Sequence, residues 1–183
     1  MYQKKGKKEG ISLMYKEKEL DEKEIYHKTK LLLSIYKKVV WQTLSYNEYT
    51  YSNLSIINAE LCGNEINTAL TYLETFASNE EKELFQNRIS ALFETKWIIE
   101  LVDKAMYRVY MYYNNGKLYH ELLSKKYLVD VSYTENDLME IFDLERTTLY
   151  RKLNEATFLL GLSLWGYTIP ELKTQNTIIL GNY

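Results

Sequence analysis

The chain has 183 residues, 46% of them apolar, and 23 lysines and arginines against 25 acids. That size suits one domain, or one with a small satellite, with enough apolar content for an ordinary core. No run of about 18 apolar residues and no charged-then-apolar opening segment is present, which argues against membrane spanning and export and leads to the expectation of a cytoplasmic protein.

With a single proline and seven glycines, there are few breakers for long periodic stretches, so the expected fold class is all-α. Residues 1–20 open with Lys4, Lys5, Lys7 and Lys8 beside two glycines and read as a flexible basic tail that can still track phosphates. From Asp21 to Leu44 the spacing of Ile25, Leu32, Leu33, Tyr36, Val39, Val40 and Leu44 predicts an amphipathic helix, begun by Asp21, Glu22 and Glu24. The stretch from Tyr46 to Asn64, rich in Tyr, Asn and Ser, reads as a loop with a short helical or irregular piece. Helical spacing returns from Asn64 to Phe76 through Ile66, Ala69, Leu70 and Leu73.

Ser78 and Glu81 stand at capping-box spacing and are expected to start the longest helix. Its stripe runs through Leu84, Phe85, Ile89, Leu92, Ile99, Val102, Met106, Val109, Tyr110 and Tyr113 until Asn114, Asn115 and Gly116 stop it. A helix of about thirty residues is well above the usual length. It fits an elongated hairpin or coiled-coil dimer and an intramolecular bundle equally. Tyr107, Tyr110, Tyr112 and Tyr113, at helical spacing beside Met106 and Val109, read as core or interface packing rather than a platform for stacking bases. Leu118, Leu122, Leu123 and Tyr127 then predict a short helix.

The segment from Thr134 to Leu153, TENDLMEIFDLERTTLYRKL, reads as helix, turn, helix. Thr134 is a good N-cap, and Glu135 and Asp137 suit the positive end of a helix dipole. Leu138, Ile141 and Phe142 predict an inward stripe that ends at Asp143, where many such motifs have glycine. Asp tolerates the left-handed conformation such a turn needs better than most side chains do. Glu145 stands where an N-cap belongs, and Leu149, Leu153, Ala156 and Leu160 recur as the buried face of the second helix. At about 100° per residue, Arg146, Thr147, Tyr150, Arg151 and Asn154 then share the opposite face. Arg can grip guanine edges or phosphates, Asn can pair with adenine edges, and Thr and Tyr can donate to phosphates, if the helix enters a major groove. Together with Thr134 and Thr148, these are the candidate DNA-binding residues.

Three stretches, LYHELLSKKYL, YTENDLMEIFDLERTTLYRKLNEA and the ending LGLSLWG at Leu160 to Gly166, resemble the C-terminal part of the ArpU/RinA-type late-gene transcription activators of phages and prophages. The helix-turn-helix of that family is similar to region four of sigma factors. The Trp-Gly ending after a recognition helix of the form S-R-x-T-x-Y-R is its most specific piece. Glu145 to Arg151 approximate that form without the serine. TKLLLSIYKKVVW, from Thr29 to Trp41, is similar to the opening helix of such proteins. The resemblance implies activation of late phage genes for packaging, morphogenesis or lysis.

Charge runs against easy binding of nucleic acid, since residues 117–183 hold seven bases and nine acids. Phosphate neutralisation supplies most non-specific affinity, so generic DNA should bind weakly, and a dimer, a polymerase contact or a good operator is needed. His27 and His120 lie far apart, without a partner at metal spacing, and lone Cys62 reads as a packed thiol. No phosphate-cradling glycine loop, nucleophile elbow or HExxH motif occurs. Neither an enzyme nor a cofactor or metal is therefore expected.

The expected architecture is a helical bundle or long helical hairpin followed by a C-terminal helix-turn-helix unit. Its parts are the tail at 1–20, a helical, dimerisation-competent domain at 21–116, the DNA-binding unit at 117–167 and a partly ordered C-terminal tail at 168–183. The expected function is sequence-specific regulation of transcription on double-stranded DNA, as a homodimer that suits a palindromic site. Two other classes fit the same motif. One is a small-terminase-like packaging subunit, which should form rings larger than a dimer; the other is a module that binds RNA polymerase rather than DNA.

Overall fold

The computed structural model describes residues 6–50, 59–92 and 97–180, with side chains placed over 10–41, 67–89 and 98–175. The described residues form helices and no strand: α1 (Gly6–Glu17), α2 (Glu22–Thr50), α3 (Ala59–Thr75), α4 (Lys82–Leu92), α5 (Trp97–Met111), α6 (Gly116–Leu123), α7 (Glu135–Phe142), α8 (Arg146–Ser163) and α9 (Ile169–Leu180). π-helical turns follow α6 (Ser124–Leu128) and α8 (Leu164–Thr168). The fold class is all-α, as composition predicted.

α8 is the axis of the molecule. Its first turns belong to a small core of Leu122, Leu138, Leu149 and Leu153, flanked by Leu118, Tyr133, Met139, Phe142 and Leu144. Its later turns, with Ala156, Leu159, Leu160 and Leu162, enter the main core among α1, α2 and α5. Gly161 permits that crossing: a Cβ there would stand 2.6 Å from Thr29 Oγ1, 2.8 Å from Ile25 Cγ2 and 2.9 Å from the Tyr15 hydroxyl. Beyond α8, the Trp165 indole N–H donates to the Leu73 carbonyl at 2.8 Å and ties the second π turn to α3.

Several expectations change. The N-terminal segment contains a helix: Tyr15 is fully buried, Ile11 nearly so, and the Tyr15 hydroxyl donates to the Phe158 carbonyl at 2.8 Å. Two apolar side chains one helical turn apart bury a segment whose lysine-rich opening reads as solvated. Lys4 and Lys5 lie outside the described residues. At the other end, α9 replaces the partly ordered tail, anchored by buried Ile169 and by ion pairs of Glu171 with Arg108 and of Lys173 with Glu74.

The described parts of the long stripe from Ser78 to Tyr113 lie on α4, which packs on α2 and α3, and on α5, which packs on α6 and α8; residues 93–96, across which the expected single helix runs, and the side chain of Leu92 lie outside the description. α4 begins at Lys82, so Glu81 precedes the helix and Ser78 lies in a turn closed by the Glu80 N–H on the Ala77 carbonyl. Phe85, Ile89, Val102, Met106 and Val109 are buried as expected, whereas Leu84, Tyr110 and Tyr113 are exposed. Tyr107 is exposed as well. Of the expected loop at 46–64, both flanks are helical, and residues 51–58 lie outside the described residues.

α5 stops as the Asn-Asn-Gly signal predicts. Asn115 is left-handed (φ 63°), and Gly116 lies against the end of α5, where a Cβ would meet the Val109 and Tyr110 carbonyl oxygens at 2.5 and 2.6 Å.

Candidate nucleic-acid interface

The helix-turn-helix is built by local chemistry. The Thr134 hydroxyl oxygen accepts from the Asp137 N–H at 3.2 Å, and the Asp137 carboxylate accepts from the Thr134 N–H at 2.7 Å. This reciprocal capping box satisfies amide groups that the first turn of α7 leaves without helical partners. The Thr134 hydroxyl also donates to the Asp137 carboxylate at 2.8 Å, and the bonds from the Thr134 backbone N–H and then from this hydroxyl favour the charged form and hold Asp137 below the usual carboxylate range.

α7 ends on Asp143 in the left-handed conformation (φ 48°, ψ 52°). The Leu144 N–H donates to the Met139 carbonyl at 3.0 Å, the pairing that closes a helix when the chain reverses through a left-handed residue. Aspartate thus does here what glycine does in many such turns. Leu138, Met139 and Phe142 face the small core, while Ile141 points to solvent, which corrects its placement on the inward stripe. α7 has only eight residues, and the 300° step from Leu138 carries Ile141 off its contact with α8.

α8 begins after Glu145, whose backbone is extended (φ −66°, ψ 151°) and whose carbonyl accepts from the Leu149 N–H at 2.9 Å. Glu145 gives no side-chain cap. Leu149, Leu153, Ala156 and Leu160 are buried, as their spacing predicts. Arg146, Thr147, Tyr150, Arg151 and Asn154 are exposed together, Thr148 is half-buried, and Thr134 is exposed with its hydroxyl engaged in the cap.

Most of these side chains already have partners. Glu135 takes both Arg146, with Nη2 to Oε2 at 3.2 Å, and the Tyr150 hydroxyl, so the first turn of α7 latches the first turns of α8. The Tyr150 hydroxyl, then the charges of Arg146 and Lys126, hold the Glu135 carboxyl below its ordinary range. Arg151 pairs with Glu155 at 3.1 Å. Glu155 also accepts from the Tyr119 hydroxyl at 2.7 Å and pairs with the largely buried Lys152 at 3.3 Å. Burial alone would raise the Glu155 carboxyl, but donation from Tyr119 and the charges of Lys152 and Arg151 outweigh it and hold the group low.

Asn154 Oδ1 accepts from the Tyr26 hydroxyl at 2.7 Å, and the Tyr26 ring stacks on Phe158 with centroids 4.5 Å apart. Comparison of the chain with protein-family models, curated proteins and solved structures found no match.

Spacing identified the exposed face but not its neighbours. The pair Arg151 and Glu155, four apart on one helix, is legible in sequence. Tyr26 stands 128 positions from Asn154, and no local signal connects them. Among the described residues, no group of three or more His, Cys, Asp or Glu is placed to hold a metal, and no helix is long and apolar enough to cross a membrane. Cys62 lies outside the described side chains.

Proposed function

We propose that the protein is a sequence-specific DNA-binding regulator of transcription, of the phage late-gene activator kind that its α7 and α8 sequence resembles. The observation that carries this reading is a capped helix, a left-handed turn and a second helix on a core of their own, with Arg146, Thr147, Tyr150 and Arg151 on one exposed face at the start of α8. In this reading that end of α8 enters the major groove. Arg146 and Arg151 contact guanine edges or phosphates, and Thr147 and Tyr150 donate to phosphates. Thr134, bound in its cap, and half-buried Thr148 support the surface rather than read bases. A two-fold dimer on a palindromic site, with contact to RNA polymerase, supplies the affinity that net charge withholds.

One observation favours a protein partner instead. Glu135 and Glu155 neutralise both arginines, which is more costly for phosphate binding than for a mixed-charge protein surface.

Selection of bound fragments from sheared source-genome DNA at near-physiological salt, with wild type and Arg146→Ala/Arg151→Ala side by side, decides between them. Wild type should enrich one or a few sites. The double variant should lose them by about 30-fold or more, in line with roughly 1–3 kcal/mol for each of the two lost base contacts. If neither folded protein enriches any site, the isolated protein does not read DNA and the polymerase-binding module takes its place.

A further inference from the structure

From Ile25 to Asn47 the chain contains four lysines and no acid, although the whole molecule is acidic. Lys28 points inward, buried against the Glu74 carbonyl and paired with Glu24. The other three, Lys30, Lys37 and Lys38, are exposed or half-buried on α2, and none is ion-paired with a described residue. Lys23, Lys30 and Lys37 recur every seven residues. At about 100° per residue they keep within roughly 40° of one line along the helix. At 1.5 Å per residue the line is about 21 Å long, close to the rise of six base pairs. Tyr26 stands on the edge of the same arc, and it is Tyr26 that joins α2 to α8 through Asn154 and Phe158. The lysine line thus runs beside Tyr26, the residue through which α2 meets the exposed face of α8.

We infer that this face of α2 is a second DNA-binding surface, which lies along the phosphodiester backbone of the duplex whose groove α8 reads. The inference rests on the proposed function for its orientation and on charge complementarity for its partner: a line of ammonium groups, acid-free beyond its first lysine at the acidic start of α2, matches a polyanion. Division of labour follows. α8 supplies sequence contacts from a face whose arginines are half-neutralised by Glu135 and Glu155, and α2 supplies the sequence-independent attraction that overall composition lacks.

The test measures anisotropy of a labelled 40-base-pair duplex of mixed sequence from 20 to 250 mM KCl. It compares full-length wild type, Lys30→Gln/Lys37→Gln, Lys30→Arg/Lys37→Arg and Arg146→Ala/Arg151→Ala, each checked for an unchanged urea midpoint. The glutamine variant should lose about 2 from the slope of log affinity against log salt, with affinity near 0.1 M falling by tens of fold, and the arginine-for-lysine variant should restore both. A folded glutamine variant with wild-type slope overturns the inference and leaves the α8 reading intact if Arg146→Ala/Arg151→Ala still abolishes site selection. A shallower slope for the glutamine variant, with site selection untouched by loss of the two arginines, upholds the α2 surface and removes the reading of α8. Wild type that ignores duplex even at 20 mM KCl but binds vesicles of 30% phosphatidylserine overturns the DNA assignment of α2 in favour of an acidic membrane.

Discussion

Glu135 lies where α7 begins and binds two of the side chains assigned to DNA contact, Arg146 and Tyr150. Its carboxylate occupies the role that a phosphate oxygen would take in a complex, because both are anionic acceptors for a guanidinium and a phenolic hydroxyl. In the proposed complex, DNA must displace it. Glu135→Gln keeps the size of the side chain and removes its charge, so the variant should bind DNA more tightly than wild type, by a few-fold and most clearly at low salt, where phosphate attraction is least screened. Titration of both proteins against a selected site checks this. Unchanged or weaker binding would mean that the contact orients Arg146 rather than competing for it.

At the scale of elements, the crossing of α8 over α1 and α2 depends on one missing side chain. A methyl group at Gly161 would fall within 3 Å of side chains from both helices, in a core with no room to give. Gly161→Ala should destabilise the protein by about 1–3 kcal/mol through overpacking. Gly166 in the following π turn offers a comparison, since a Cβ there would meet only Leu162, Leu20 and Lys18 side-chain atoms at 3.1 Å or more. No described glycine has a positive φ, so alanine fits the backbone at both positions. Gly166→Ala should therefore stay within about 1 kcal/mol of wild type, helped by the lower entropy of its unfolded chain. Urea midpoints of the two variants measure the contrast, and equal midpoints would show that the α8 crossing can relax.

For the whole molecule, the decisive feature is that α8 serves two cores. Its N-terminal turns complete the helix-turn-helix cluster, while Leu159, Leu160 and Leu162, followed by Leu164 and Trp165, are buried with side chains from α1, α2, α3 and α5. The segment 117–167, drawn from sequence as the DNA-binding unit, thus ends inside the core of its neighbours. Expressed alone, it should show no cooperative thermal transition by circular dichroism, because it would expose those five large apolar side chains with nothing to cover them. A sharp transition would make the unit autonomous after all. The same architecture joins the exposed face of α8 to α2, which is how Tyr26 comes to stand beside Asn154.

Sequence alone determined what depends on neighbours a few residues apart. The all-α class follows from periodicity and scarce breakers, and the Thr134 cap, the left-handed Asp143 and the buried set Leu149, Leu153, Ala156 and Leu160 follow from helix geometry at i to i+4. Short-range rules misplaced Ile141 and the start of α4 because helix ends are fixed by packing as much as by caps. Tertiary structure alone decided the burial of Tyr15, the order of α9, and the partners of Arg146, Tyr150 and Asn154. These depend on contacts between residues far apart in the chain, whose energies outweigh local propensity and leave no periodic trace in the sequence.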